Sequence, residues 1–389
     1  MQLANNMKYL VLLAGLFVAC SLQAEVLPED RADTLYHYYD GGGVQIDGPS
    51  ILVRKNIKNT VSVFGNYYVD SISSASIDVV TTGASPYAEE RKEYSIGMDF
   101  LHEDTIMSVS FTDSAENDYK AQSMNIGVAQ EVFGGMTTVT MSYGRGSDEI
   151  YRNGPDGQPD GVFAEEADRR NYRLGLSQVI TRNMLLSMNY EAIVDEGFLN
   201  NPYRQVRYED PSSATGYSYE AEVYPRTRSS NAVSFNTRYH LPYRAAVHGG
   251  YRFFADSWGI DAHNFDVGYT HPLKEALILD VSYRFYTQSA ADFYSDLFAH
   301  EGAQNFLARD KELSTFNSHT VRIGASYDLI ADGWRYLGKA TLNLYYDHII
   351  FDYKDFRDLR SIDSSGVPGN EPMYSFSADV LQLYFSAWF

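Results

Sequence analysis

The sequence predicts an all-β fold: a transmembrane antiparallel β-barrel of about 16 strands, with short turns at one end and long loops at the other. Three observations predict it. Apolar residues recur with a period of two along most of the chain after residue 30. The alternating segments run about nine to twelve residues, the length of a tilted strand crossing a bilayer, whereas strands of soluble sandwiches are nearer five or six. The connections between them are alternately short and long, as in outer-membrane barrels.

The totals agree with this fold. The 389 residues carry a formal net charge of -20, which excludes a nucleic-acid partner, because a phosphate backbone needs a basic face. The 32 tyrosines, 21 phenylalanines and 29 glycines suit strands and turns better than helices.

The N-terminus, residues 1–24, has the form of a cleaved export signal. Lys8 supplies the positive charge, "YLVLLAGLFVAC" the apolar stretch, and "LQA" ending at Ala24 the cleavage site. Cleavage removes Cys20, the only cysteine, so the exported chain has no disulfide framework or thiolate metal site. "FVAC" loosely resembles a lipoprotein processing site, but Phe17 stands where leucine is preferred, and an unmodified Cys20 is the expected reading. Residues 25–33 are then a short periplasmic segment, and 34–389 one barrel domain with no linker of distinct composition.

The strands follow in order. Counting back from a periplasmic C-terminus gives fifteen segments starting near Val44, which would leave the N-terminus outside the cell. Reading "TLYHYYD" (34–40) as a further strand that turns at "GGG" (41–43) restores the even number usual in bacterial barrels. "RNYRLGLSQVI" places Tyr172, Leu174 and Leu176 on one face and Arg173, Gly175 and Ser177 on the other. "GGYRFFAD" turns Tyr251 and Phe253 to lipid and Arg252 to the lumen, and "ALILDVSYRFY" does the same with Tyr283 and Phe285 around Arg284. "AVSFNTRYH", "TVRIGASYD" and "KATLNLYYD" alternate likewise. Short turns are expected at 102–105, 134–137, 180–183, 241–244 and 271–275, and long polar loops near 147–169, 192–228, 287–317 and 350–374. The last strand, "DVLQLYFSAWF", ends on an aromatic. Phe385 and Phe389 there resemble the signal read by the barrel assembly machinery, although Ala387 stands where an aromatic is commoner.

Alternation also selects the candidate functional residues. Arg173, Arg252, Arg284 and Arg322 point inward roughly 15 to 20 Å above the short-turn end, at about 3.3 Å per tilted residue. Arg238 points inward too, as do Glu93, Asp99, Glu191, Asp266, Asp280 and Asp328. Three of the arginines lie on strands close together, which predicts a basic stripe on one wall with the carboxylates opposite it or paired with it. The first arrangement is an electrostatic constriction that filters solutes. The second is an ion-pair network that stiffens the barrel.

Other chemistry is poorly supported. "NGPDGQPDG" (153–161) offers Asp156 and Asp160 as Ca²⁺ ligands, but lacks the ordered spacing and terminal glutamate of an EF-hand, so a solvated acidic loop is expected. No G-x-S-x-G, H-E-x-x-H or Walker A pattern is present, and no cofactor-binding motif. Asp347 and His348 invite comparison with outer-membrane proteases, but neighbouring strand residues face opposite ways and cannot form a dyad. The chain reads as a non-enzymatic barrel whose partners are outer-membrane lipids and the assembly machinery.

Several stretches, "LYHYYDGGGVQIDGPSILVRK", "GFLNNPYRQVRY", "EVYPRTRSSNAV", "YRFFADSWGIDAH" and "FYSDLFAHEGAQNFLARDKELSTF", resemble the outer-membrane proteins grouped as domain of unknown function 3570. The resemblance covers nearly all of the mature chain. It implies an exported barrel of a Gram-negative outer membrane with no assigned substrate or reaction. It also implies, as a partner, a small lipoprotein or other periplasmic protein of an envelope redox system, although no residue here carries a redox centre.

Overall fold

The structure, a computed structural model, describes residues 26–74, 87–154, 156–361 and 367–389. The export signal and Cys20 lie outside them. Sixteen antiparallel strands close into one barrel, and a separate two-stranded sheet sits in a loop. No helix is long and apolar enough to cross a membrane.

The first strand, β1 (Arg31–Gly41), starts slightly before residue 34 and turns through Gly42 and Gly43, at φ 60° and 80°, into β2 (Val44–Ile57). Two successive positive φ values make the hairpin turn whose twist matches the strands, and glycine adopts them without a Cβ clash. Around the wall follow β3 (Val61–Ser74), β4 (Tyr87–His102), β5 (Thr105–Ala115) and β6 (Tyr119–Val132). Next come β7 (Thr137–Asn153), β8 (Pro159–Thr181) and β9 (Met184–Gly197). The small sheet is β10 (Gln205–Glu209) with β11 (Tyr217–Ala221). The barrel resumes with β12 (Thr227–His240), β13 (Ala246–Asp256), β14 (Asp261–Leu273) and β15 (Leu277–Gln288). It ends with β16 (Phe316–Ile330), β17 (Lys339–Arg357) and β18 (Met373–Trp388). Pairing of β1 with β18, from Arg31↔Trp388 to Gly41↔Ala378, closes the ring and leaves no free edge.

The expected short turns fall between the strands as read. Two of the expected loops are largely strand instead. The polar stretch near 147–169 is the top of a hairpin in which β8 alone runs 23 residues, far beyond the nine to eleven or so needed to cross a bilayer. Above the membrane both faces of a strand are wet, so its apolar alternation disappears while its ladder continues. The same holds for the start of 350–374, where β17 reaches Arg357.

Alternation sorts the two faces. Ile96, Met124, Ile126, Leu174, Phe265 and Ile323 stay exposed on the outer surface, as lipid-facing residues of an isolated barrel must be. Buried apolar clusters instead fill the long-loop end. Tyr224, Trp258, Ile260, Phe293 and Leu313 form one, and Tyr353, Phe356 and Tyr374 another.

These clusters belong to a cap built by three loops, those joining β9 to β12, β15 to β16 and β17 to β18. Arg207 on β10 is wholly buried and donates to both carboxylate oxygens of Glu371, at 2.7 and 3.0 Å, and to Asp296. Arg309 reaches the same Asp296 at 2.9 Å. At its lower side Gln288 Nε2 donates to the carbonyls of Glu312 and Ser314, both at 2.8 Å, which pins a short 3-10 turn (Lys311–Leu313) to the wall.

Candidate functional site: a charged arc of the lumen

The ladder registers put Arg173, Arg252, Arg284 and Arg322, the four arginines predicted from alternation, on one and the same face of the wall. Counted from the turn ends of their strands, at Ala246, Leu277, Ile330 and Thr181, they stand at nearly one height, roughly 15 to 20 Å up. In barrel order β16-β15-β14-β13-β12-β9-β8 they occupy one continuous arc. Exposure falls along the arc, from 48% of the Arg173 side chain to 28% of Arg322.

The carboxylates do not form an opposing wall. Glu191 sits between two arginines of the arc and accepts from Arg173 Nε at 2.8 Å and from Arg252 Nη2 at 3.2 Å. Asp266 and Asp280 lie on β14 and β15 within the arc, and Asp280 accepts from the Thr270 hydroxyl. Asp328 is near the turn end beside Lys339 at 3.5 Å, and Arg238 is exposed there, paired in register with His248. Only Glu93 and Asp99, on β4, stand half-way round the barrel, and Asp99 is held by Arg54 and by Ser108 at 2.7 Å. The reason is local: a charge in a thin wall is stabilised by the cross-strand neighbour within hydrogen-bond reach.

Two partners were not identified from the sequence. Asp347, set aside there, accepts two bonds from Arg322 at 2.6 and 2.7 Å, while His348 turns outward to Asp379 at 2.8 Å. Period-two counting along "KATLNLYYD" puts Asp347 inward, so the signal was available. The second is a buried group on β1, β3 and β4, in which His37 contacts Asp70 at 2.8 Å and Arg91 contacts it at 2.7 Å.

Arg284 differs from the other three. Its register neighbours are Asp266 on β14 and Thr320 on β16. Asp266 leans away from it, over Gly250 on β13, where its Oδ1 fills the space a Cβ would need. His248 lies likewise over Gly268. Glycine at these inward positions lets the neighbouring side chain lie flat on the wall instead of projecting into the lumen. The wall next to the β8 end of the arc is different in kind: β5 to β7 present Ser108, Ser110, Thr112, Asn125, Thr140 and Ser142, small and uncharged, before charge returns with Asp99 on β4.

The loop acids expected near 153–161 do not converge on a metal site. Asp160 accepts from the backbone of Val162 and Phe163 at 2.8 and 2.9 Å and from Arg152 at 2.8 Å, and Asp156 caps Gln158. Among the described residues, the carboxylates that do gather are Glu89, Glu116 and Asp118, with ligand atoms within 4.8 Å. Asp118 also accepts from Tyr203 at 2.6 Å.

The chain is similar to solved outer-membrane barrels. It overlays a bacterial polysaccharide outer membrane secretin with a TM-score of 0.48 and 6% identity, covering 93% of this chain and 99% of that one. A Pseudomonas aeruginosa FadL homologue gives 0.45 and 8%, covering 93% and 90%. The siderophore receptor PirA from Pseudomonas aeruginosa gives 0.44 and 10%, covering 93% of this chain, which spans only 63% of the receptor. No curated protein matches the sequence. The chain, a closed barrel of sixteen strands with a long-loop cap, belongs to the family described as protein of unknown function DUF3570, whose model matches residues 45–348.

Proposed function

We propose that the protein is a porin-like channel that passes small polar or charged solutes across the outer membrane. In this reading the short turns face the periplasm and the long loops the exterior. One observation carries it: the arginines share one height on one arc, and the strands that follow it, β7 to β5, present serine, threonine and asparagine. Arginines and carboxylates gathered at one height set up a local field along that part of the passage, which orients and selects charged solutes. A ring of sixteen strands is wide enough to leave an aqueous lumen. Purified protein in planar bilayers should give unitary currents, and a folded barrel that stays silent sinks the reading.

A second reading is a non-conducting scaffold that receives a small lipoprotein or another envelope partner. The folded cap favours it, because three loops locked by buried ion pairs present a fixed surface. Affinity purification from native membranes separates the two: a barrel that always emerges alone ends the scaffold reading.

A further inference from the structure

We propose that Arg284 is a lumenal binding site for small organic monocarboxylates. This rests on the channel reading only for the route by which solute arrives.

The first argument is the state of the guanidinium. Arg173 and Arg252 share Glu191, and Arg322 is held twice by Asp347. Among the described residues no carboxylate lies in ion-pair reach of Arg284, and its Nε is buried with no hydrogen-bond partner. A guanidinium without an acceptor costs free energy that a ligand meeting its Nη atoms, which unlike Nε are not closed off, can recover.

The second argument is why the pair fails to form. Asp266 stands in direct register with Arg284 and would close on it if it stood upright. Gly250 provides the empty place over which Asp266 lies instead, and a side chain on that residue would push it back. The glycine on β13 therefore keeps the arginine on β15 available.

The ligand class follows from charge and shape. A guanidinium offers a planar fork of donors that matches a carboxylate through two parallel bonds, which chloride cannot use. Asp266 stands beside Arg284 in register on β14, and the Arg322–Asp347 pair lies on the other side across β16 and β17. A guanidinium that makes no ion pair yet has acids on both sides accepts a single negative charge and disfavours a dianion, which those acids repel. The ligand is therefore a carboxylate bearing one charge.

The test uses the full barrel in detergent with acetate as probe, read by saturation-transfer NMR. Wild type should show saturable acetate binding that sulfate displaces poorly. Arg284→Gln should bind roughly tenfold more weakly, equivalent to about 1.4 kcal/mol. Arg284→Lys, which keeps the charge and loses the fork, should fall between them, and it carries the comparison should the glutamine variant not fold. Arg182→Gln, in a turn, should leave binding unchanged. Equal binding by wild type and Arg284→Gln, or displacement by sulfate as effective as by acetate, overturns the proposal. Reversal potentials between potassium acetate and potassium chloride give an independent reading. Binding lost in Arg284→Gln with silent bilayers means that the channel reading fails and the site stands. Conducting bilayers with acetate binding indifferent to Arg284 mean the converse.

Discussion

Replacing Arg207 by alanine should open the cap and spare the barrel. The Arg207 side chain is 0% accessible and joins three loops, since it lies on β10 and binds Asp296 before β16 and Glu371 before β18. Removing one partner of a buried ion pair leaves the others desolvated and uncompensated, at a cost of about 3–5 kcal/mol. The lower end applies here, because Asp296 keeps Arg309 at 2.9 Å and Glu371 keeps the Gly369 N–H at 3.0 Å. A loss of about 3 kcal/mol raises the population of the opened cap roughly a hundredfold. None of those bonds crosses the wall of the barrel, whose strand ladders close separately. Amide exchange should therefore accelerate about a hundredfold in residues 205–221 and 296–309 and stay unchanged in β12 to β15. Arg207→Lys should give an intermediate value, since one ammonium cannot fill a bidentate site. Equal acceleration in cap and wall, or none in the cap, would refute the claim that this buried group holds the loops as a separate unit.

Three further predictions concern the cap, the wall and the arc. Burial, with Asp310 close by, pushes the Glu222 carboxyl up to about 7. The folded cap then keeps a proton that the opened loop releases above about pH 4.5, so this stabilisation is full below that pH and lost as pH rises through about 7. Cap exchange, corrected for intrinsic rates, should be slower at pH 5.5 than at pH 8, and Glu222→Gln should remove the difference. Gly48→Ala places a Cβ against the backbone carbonyl of Val69, which no rotamer change can clear, and should cost about 1–3 kcal/mol in denaturant unfolding of the refolded barrel. Asp347→Asn frees Arg322 and adds one uncompensated positive charge to the arc, so the reversal potential in a salt gradient should move toward anion selectivity.

Much of the wall was legible because membrane strands obey a period of two that depends on nothing distant. The inward direction of Arg252, Arg284 and Asp347 follows from residues on either side of each. Cross-strand contacts were less accessible. Glu191 on β9 bridges β8 and β13, and that bridge depends on the registers of three strand pairs at once. The choice between carboxylates opposite the arginines and carboxylates paired with them stayed open in the sequence for this reason, since heights were countable and circumferential neighbours were not. The long loops were misjudged where polarity was equated with irregular chain. β7 and β8 stay paired from Tyr151↔Ala164 downward although both faces meet water.

Sequence alone therefore determined the barrel, its even strand number, the alternation of turn and loop ends, and which residues share a face of the wall. Each of these is a one-dimensional pattern imposed by the bilayer, which requires paired backbone and an apolar outer face. The tertiary structure decided which lumen charges neutralise one another and which does not. Arg207 meets Glu371 across 164 positions of chain, and Arg284 stays unpaired because Asp266 lies over a glycine on the next strand. Such choices turn on ångström-scale distances between side chains far apart in sequence, and a periodic pattern carries no record of them.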